Sequence, residues 1–128
     1  MSYAPGTVLR LEFQNSDGTL KQRPVAVVSN NTYNDQGRDI TVVEITSNLQ
    51  RNESEDVVFS DSHPEFRRSG LSRSSVIRCG KVQTFDVQFA RATKIGALGD
   101  KIFREVVSGL HQSLAFTCKG GGALPTKK

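Results

Sequence analysis

The stretch PVAVVS, residues 24–29, carries four successive apolar residues, three of them β-branched valines. A run this short does not make an ordinary helix. Without polar residues at alternate positions, it predicts a central strand covered on both faces. Arg23 stands directly before it, and Pro24 is expected at the strand's first position, where a missing N–H does least harm.

The flanking segments extend this pattern. TVLRLEF, residues 7–13, sets Leu9, Leu11 and Phe13 on one face and Arg10 and Glu12 on the other, the period of a half-buried strand. QNSDGTLKQR then supplies a hairpin loop with Asp17-Gly18, a dipeptide suited to left-handed turn geometry. After the turn-rich NNTYNDQGRD comes a third strand, ITVVEITS, residues 40–47. Its apolar pairs Ile40/Val42 and Val43/Ile45 alternate in opposite phases, which predicts a bulge near Val42. EDVVF and SSVIRC read as short strands on either side of the polar SDSHPEFRRSGLSR, with KVQTFD as one more. Five or six short strands point to an antiparallel barrel or sandwich.

The end of the chain changes period. Ile102, Phe103, Val106, Val107, Leu110 and Leu114 recur at helical spacing behind Asp100, the expected N-cap, and Gly109 within costs roughly 1 kcal/mol relative to alanine. KGGGALPTKK has no core-forming pattern. The expected organisation is one domain over residues 1–118 and a flexible tail over 119–128, and a chain of 128 residues with 36% hydrophobic content can bury one core.

Several function classes drop out at this point. No apolar run approaches the roughly 18 residues of a membrane span and MSYAPGTVLR is no secretory signal, so no membrane partner and a cytoplasmic location are expected. Cys79 and Cys118 have no zinc-ligand spacing, so reduced thiols and no metal are expected. Charge is segregated along the chain: residues 1–66 hold five Lys/Arg and ten Asp/Glu, net −5, and residues 67–128 hold twelve and three, net +9. Arg67, Arg68, Arg73, Arg78 and Lys81 cluster without an intervening acid, as phosphate binding or an acidic partner would use.

In order and spacing, PGTVLRLEF, QRPVAVVSNNTYN, VVEITS, GLSRSSVIRCGKVQTFD and ATKIGALGDKIFREVVSGL resemble the MazF/PemK toxin family over about residues 4–116. The resemblance implies a small SH3-like antiparallel β-barrel with a C-terminal amphipathic helix. It also implies a homodimer that cleaves single-stranded RNA without metal or cofactor, and an antitoxin that restrains it through an acidic, flexible segment. Arg23 and Thr46 match the catalytic arginine and threonine of the family's RP and TS motifs. A guanidinium can neutralise charge building on phosphoryl oxygens during attack by a ribose 2′-OH, and a fixed hydroxyl can donate to the same oxygens.

Ser47 and Arg78 are candidate supporting residues, and Arg67, Arg68, Arg73, Lys81 and Tyr33 are candidate RNA contacts, Tyr33 by stacking on a base. Other readings stand beside these: a strand-edge arginine pairing with an acid, and a threonine ending its strand by bonding its own backbone. His63 and His111 match no catalytic position and are expected in a loop and on a helix surface. In PemK-type members an aspartate implicated in cleavage follows the equivalent of Arg78-Cys79, and here that position is Gly80, while Gln83 replaces an arginine. The alternative function is therefore a degenerate member that binds RNA, or a protein target as the gyrase inhibitor CcdB does, without cleavage.

Overall fold

A computed structural model describes residues 3–14, 17–30, 39–86 and 91–114. Six strands, β1 (Thr7–Gln14), β2 (Leu20–Val27), β3 (Asp39–Thr46), β4 (Val57–Phe59), β5 (Ser75–Asp86) and β6 (Thr93–Ala97), precede one helix, α1 (Asp100–Ser113). They form one antiparallel sheet in the order β4-β5-β3-β2-β1-β6, curled into a half-barrel. The expected small antiparallel barrel with a closing helix takes this form.

The apolar run sits in mid-sheet, as its composition requires. Val25 and Val27 join Leu9, Leu11, Ile40 and Val42 in one buried cluster. Ala26 joins Val8, Val43, Ile45, Phe59, Ile77 and the helix residues Ile102 and Val106 in the other. Both faces of the central strands are therefore dry. The opposite phases of β3 have the same cause: Ile40 and Val42 face one cluster, Val43 and Ile45 the other, and no extra residue is inserted at Val42.

The irregularity lies one step later and on the neighbouring strand. Val43 pairs Val82 while Glu44 pairs Arg78, so Cys79, Gly80 and Lys81 bulge out of β5. SSVIRC and KVQTFD are thereby parts of one 12-residue strand kinked at Gly80, rather than two strands. Pro24 also differs from expectation. β2 begins at Leu20 and Pro24 lies inside it, opposite Arg10, but pairing with β3 begins only at Val25, the residue after the proline. The missing N–H ends one ladder and spares the other. Strand β6, not anticipated from the sequence, pairs with β1 at the sheet edge.

Helix α1 buries Ile102, Val106 and Gly109, while Leu114, expected on its apolar face, is exposed. Gly109 permits a close approach: a Cβ there would lie 2.2 Å from the Glu55 carbonyl oxygen and 2.7 Å from Cys79 Sγ. The N-cap is Gly99, not Asp100. Glu65 reaches across from the connection between β4 and β5, and its carboxylate accepts the N–H groups of Lys101 (3.2 Å) and Ile102 (2.9 Å), supplying the oxygens that a local cap would have offered.

Candidate active site

The β2–β3 ladder stops at the pair Val25–Glu44, although both strands continue. Carrying the register two residues further sets Arg23 opposite Thr46. Between the parted strands opens a cavity of about 410 Å³, lined by residues 21–24 of β2, residues 44–48 from the end of β3, and Arg51. The two residues singled out from the RP and TS motifs thus share one fork, and Ser47 shares it with them.

Thr46 is fixed by its own turn. Its Oγ1 accepts the Asn48 N–H at 3.1 Å, Asn48 Oδ1 accepts the Gln50 N–H at 3.1 Å, and the Asn48 carbonyl accepts the Arg51 N–H at 3.1 Å. This succession folds the chain back so that Arg51 returns to the cavity wall. It makes the Thr46 hydroxyl an acceptor towards the backbone and leaves its proton to be donated elsewhere. The strand-ending and substrate-donating readings of Thr46 are therefore compatible.

Among the described residues, Lys21, Arg23 and Arg51 face this cavity against a single carboxylate, Glu44. Glu44 Oε1 accepts a hydrogen bond from Arg78 Nη1 at 3.1 Å across the β3–β5 pair, with the side chains 25% and 14% exposed respectively. Arg78 is thus bound to the cavity's acid rather than open to the cavity. Beyond it, Arg78, Gly80 and Lys81 meet Glu53, Glu55 and Asp56 around a smaller cavity of about 180 Å³. A Cβ on Gly80 would lie 3.2 Å from Glu55 Oε2, so the place a side chain at position 80 would take is already next to a carboxylate. Asp56 Oδ1 accepts the Cys79 N–H at 3.1 Å. Burial, then Asp56 and Glu55, push the Cys79 thiol up to about 12, so it stays protonated and is no nucleophile at neutral pH.

The remaining candidates scatter. Arg73 lines a neighbouring cavity of about 310 Å³ together with Arg10. Arg67 and Arg68 are exposed on a 3-10 turn packed beside β6, and neither lines these cavities. Tyr33, Cys118 and the tail 119–128 lie outside the described residues. His63 is a turn residue, its Nδ1 accepting the Glu65 N–H at 3.0 Å and its ring edge-on to Phe59. Among the described residues, no cluster of His, Cys, Asp and Glu could hold a metal ion. Nor is any helix among them long and apolar enough to cross a membrane.

Sequence reading had passed over Lys21, Glu44, Arg51 and Arg10. Lys21 and Glu44 carried a usable signal, standing two residues before Arg23 and Thr46 and hence on the same strand faces. Arg51 and Arg10 did not, since one depends on a turn and the other on the β1–β2 register.

A family model described as PemK-like, MazF-like toxin of type II toxin-antitoxin system matches residues 4–114. The chain belongs to this family of toxins. No curated protein sequence matches it. Among solved structures, the fold is similar to an endoribonuclease in complex with its cognate antitoxin from a mycobacterial species, at 18% identity and TM-score 0.68, over 88% of this chain and 94% of that one. It is also similar to a MazE-MazF structure from Deinococcus radiodurans, at 20% identity and TM-score 0.69, over 88% and 95%. A third match is the Mycobacterium tuberculosis toxin MazF-mt6, at 20% identity and TM-score 0.60, over 81% and 94%. At these identities the solved toxins establish the architecture, and the half-barrel with its helix is a MazF-like fold.

Proposed function

We propose that this MazF-like toxin is a sequence-selective endoribonuclease that cleaves single-stranded RNA without metal or cofactor. The observation that carries this reading is the fork, where Arg23 and Thr46 line one cavity that holds, among the described residues, three cations and one acid. A ribose 2′ oxygen bonds to the adjacent phosphorus and loses its proton, the P–O5′ bond breaks, and solvent water supplies the proton that O5′ gains. Arg23 neutralises the charge that builds on the phosphoryl oxygens, and the Thr46 hydroxyl donates to them. Among the lining groups, the Glu44 carboxylate is the one suited to receive the 2′ proton. Gly80 takes no part in this scheme, so its lack of a carboxylate does not by itself disable the fork.

The reading also includes the family's partners, with a homodimer acting in the cytoplasm and an antitoxin laying an acidic segment over the cationic fork. Antitoxin-free protein incubated with long RNA in EDTA should give discrete fragments ending in 2′,3′-cyclic phosphate. Arg23→Ala should slow their appearance by about 10²- to 10³-fold without unfolding the domain. Intact RNA at every salt concentration would overturn the catalytic reading in favour of a binding-only protein.

A further inference from the structure

We propose that the cavity beside the fork is a second phosphate subsite, in which Arg10 and Arg73 hold the RNA phosphodiester that neighbours the scissile one. The proposal rests on reading the fork as the cleavage site and adds to it a binding site for the substrate's flank. The two cavities are adjacent: Gln22, Pro24 and Ser47 line both. A single strand carries a phosphate at every nucleotide, so one seated at Arg23 and leaving over this shared wall brings its next phosphate into the second cavity.

The second cavity, about 310 Å³, suits a monoanionic oxyanion. Among the described residues, its two charged groups are both arginines and no carboxylate lines it. Arg10 stands opposite Pro24 in the β1–β2 register, which places it next to the shared wall. Arg73 comes from the loop before β5, where its carbonyl accepts the hydroxyl of the buried Ser75 at 2.9 Å, tying the loop residue to the start of the strand. The contrast with Lys81 is direct, because Lys81 faces three acids. Two guanidiniums approaching one site from different elements can each offer paired N–H groups to a phosphate. Acting beyond the reacting atoms, they hold the strand in place and leave turnover at saturation unchanged.

The test is equilibrium binding of a short RNA strand with deoxyribose at the scissile position, measured over a range of salt concentrations. Replacing both Arg10 and Arg73 by alanine should make the log–log salt slope shallower by about 0.7, the single-strand value for one phosphate neutralised, and Arg10→Ala or Arg73→Ala alone by part of that. Arg104→Ala, exposed on α1 and outside these cavities, should leave the slope unchanged. With cleavable RNA the two cavity variants should raise KM and spare kcat. A minimal substrate with the scissile phosphate alone should not distinguish them from wild type.

Slopes equal to wild type, or an equal change from Arg104→Ala, would overturn the subsite. So would loss of polyglutamate binding with RNA binding intact, which would make the cavity a site for acidic protein segments. Because the binding arm needs no cleavage, an inactive wild-type protein would count against the fork alone.

Discussion

The fork between β2 and β3 and the kink of β5 both contain an arginine beside a carboxylate, yet their electrostatics are opposite. In the fork, Lys21, Arg23 and Arg51 face one acid. At the kink, Arg78 and Lys81 face Glu53, Glu55 and Asp56, and Arg78 bonds Glu44 as well. Two members of the cluster that looks most basic along the chain, Arg78 and Lys81, are thus neutralised in space. The cationic surface combines Arg73 of that cluster with Arg10, Lys21, Arg23 and Arg51, four of the five basic residues in the acidic half of the sequence. A site's charge is set by which residues the sheet leaves without opposite neighbours, and local sequence density does not report it.

The largest effect expected from this contrast is at Arg23. Arg23→Ala should lower kcat/KM for RNA by about 10²- to 10³-fold, the cost of one oxyanion donor, with the urea midpoint little changed. A loss under tenfold would remove Arg23 from the reacting phosphate and collapse the distinction between fork and kink.

Glu44 joins the two regions and therefore separates two roles. Glu44→Gln keeps an oxygen for Arg78 Nη1 and removes the base. It should slow cleavage by about 10²-fold, the lower end for general base catalysis, because a carboxylate is a weak base near neutrality. Arg78→Met instead leaves Glu44 half-buried without its cation. That should cost about 1–2 kcal/mol of stability, discounted for partial exposure, with kcat within tenfold of wild type. Equal catalytic losses in the two variants would mean that Glu44 acts only by anchoring Arg78.

Much of the fold was legible because both sheet faces are apolar in mid-strand, so PVAVVS and ITVVEITS could be read as covered strands without knowing their partners. The same property hid the register. With valines facing both ways, the sequence could not show that β3 is regular and that the extra residues belong to β5. Arg23 and Thr46 were legible through motifs, and their juxtaposition follows from a register that only pairing reveals. Arg73 and Lys81 occur eight residues apart in one basic run and end in cavities of opposite charge, which no local pattern encodes.

Glu65 gives the smallest effect and tests whether acids outside the fork serve structure while the cations of this half serve the site. The Ile102 N–H, bonded to its carboxylate, holds Glu65 below its ordinary 4.5, against an opposing contribution from desolvation, with Lys101 adding in the same direction. A carboxyl whose folded value lies below its unfolded one stabilises the fold fully above the unfolded value, and the contribution fades as pH falls through the folded value. Glu65→Gln should therefore lower Tm by a few degrees at neutral pH, and the gap from wild type should narrow as pH falls below about 4.5. RNA cleavage at 25 °C should be unaffected, since Glu65 lines neither the fork nor the adjoining cavity. A Tm difference that stays constant down to low pH would show that the glutamate holds α1 by shape rather than by charge. A large loss of cleavage would show that the helix cap and the fork are one unit, and that the division between structural acids and working cations does not hold.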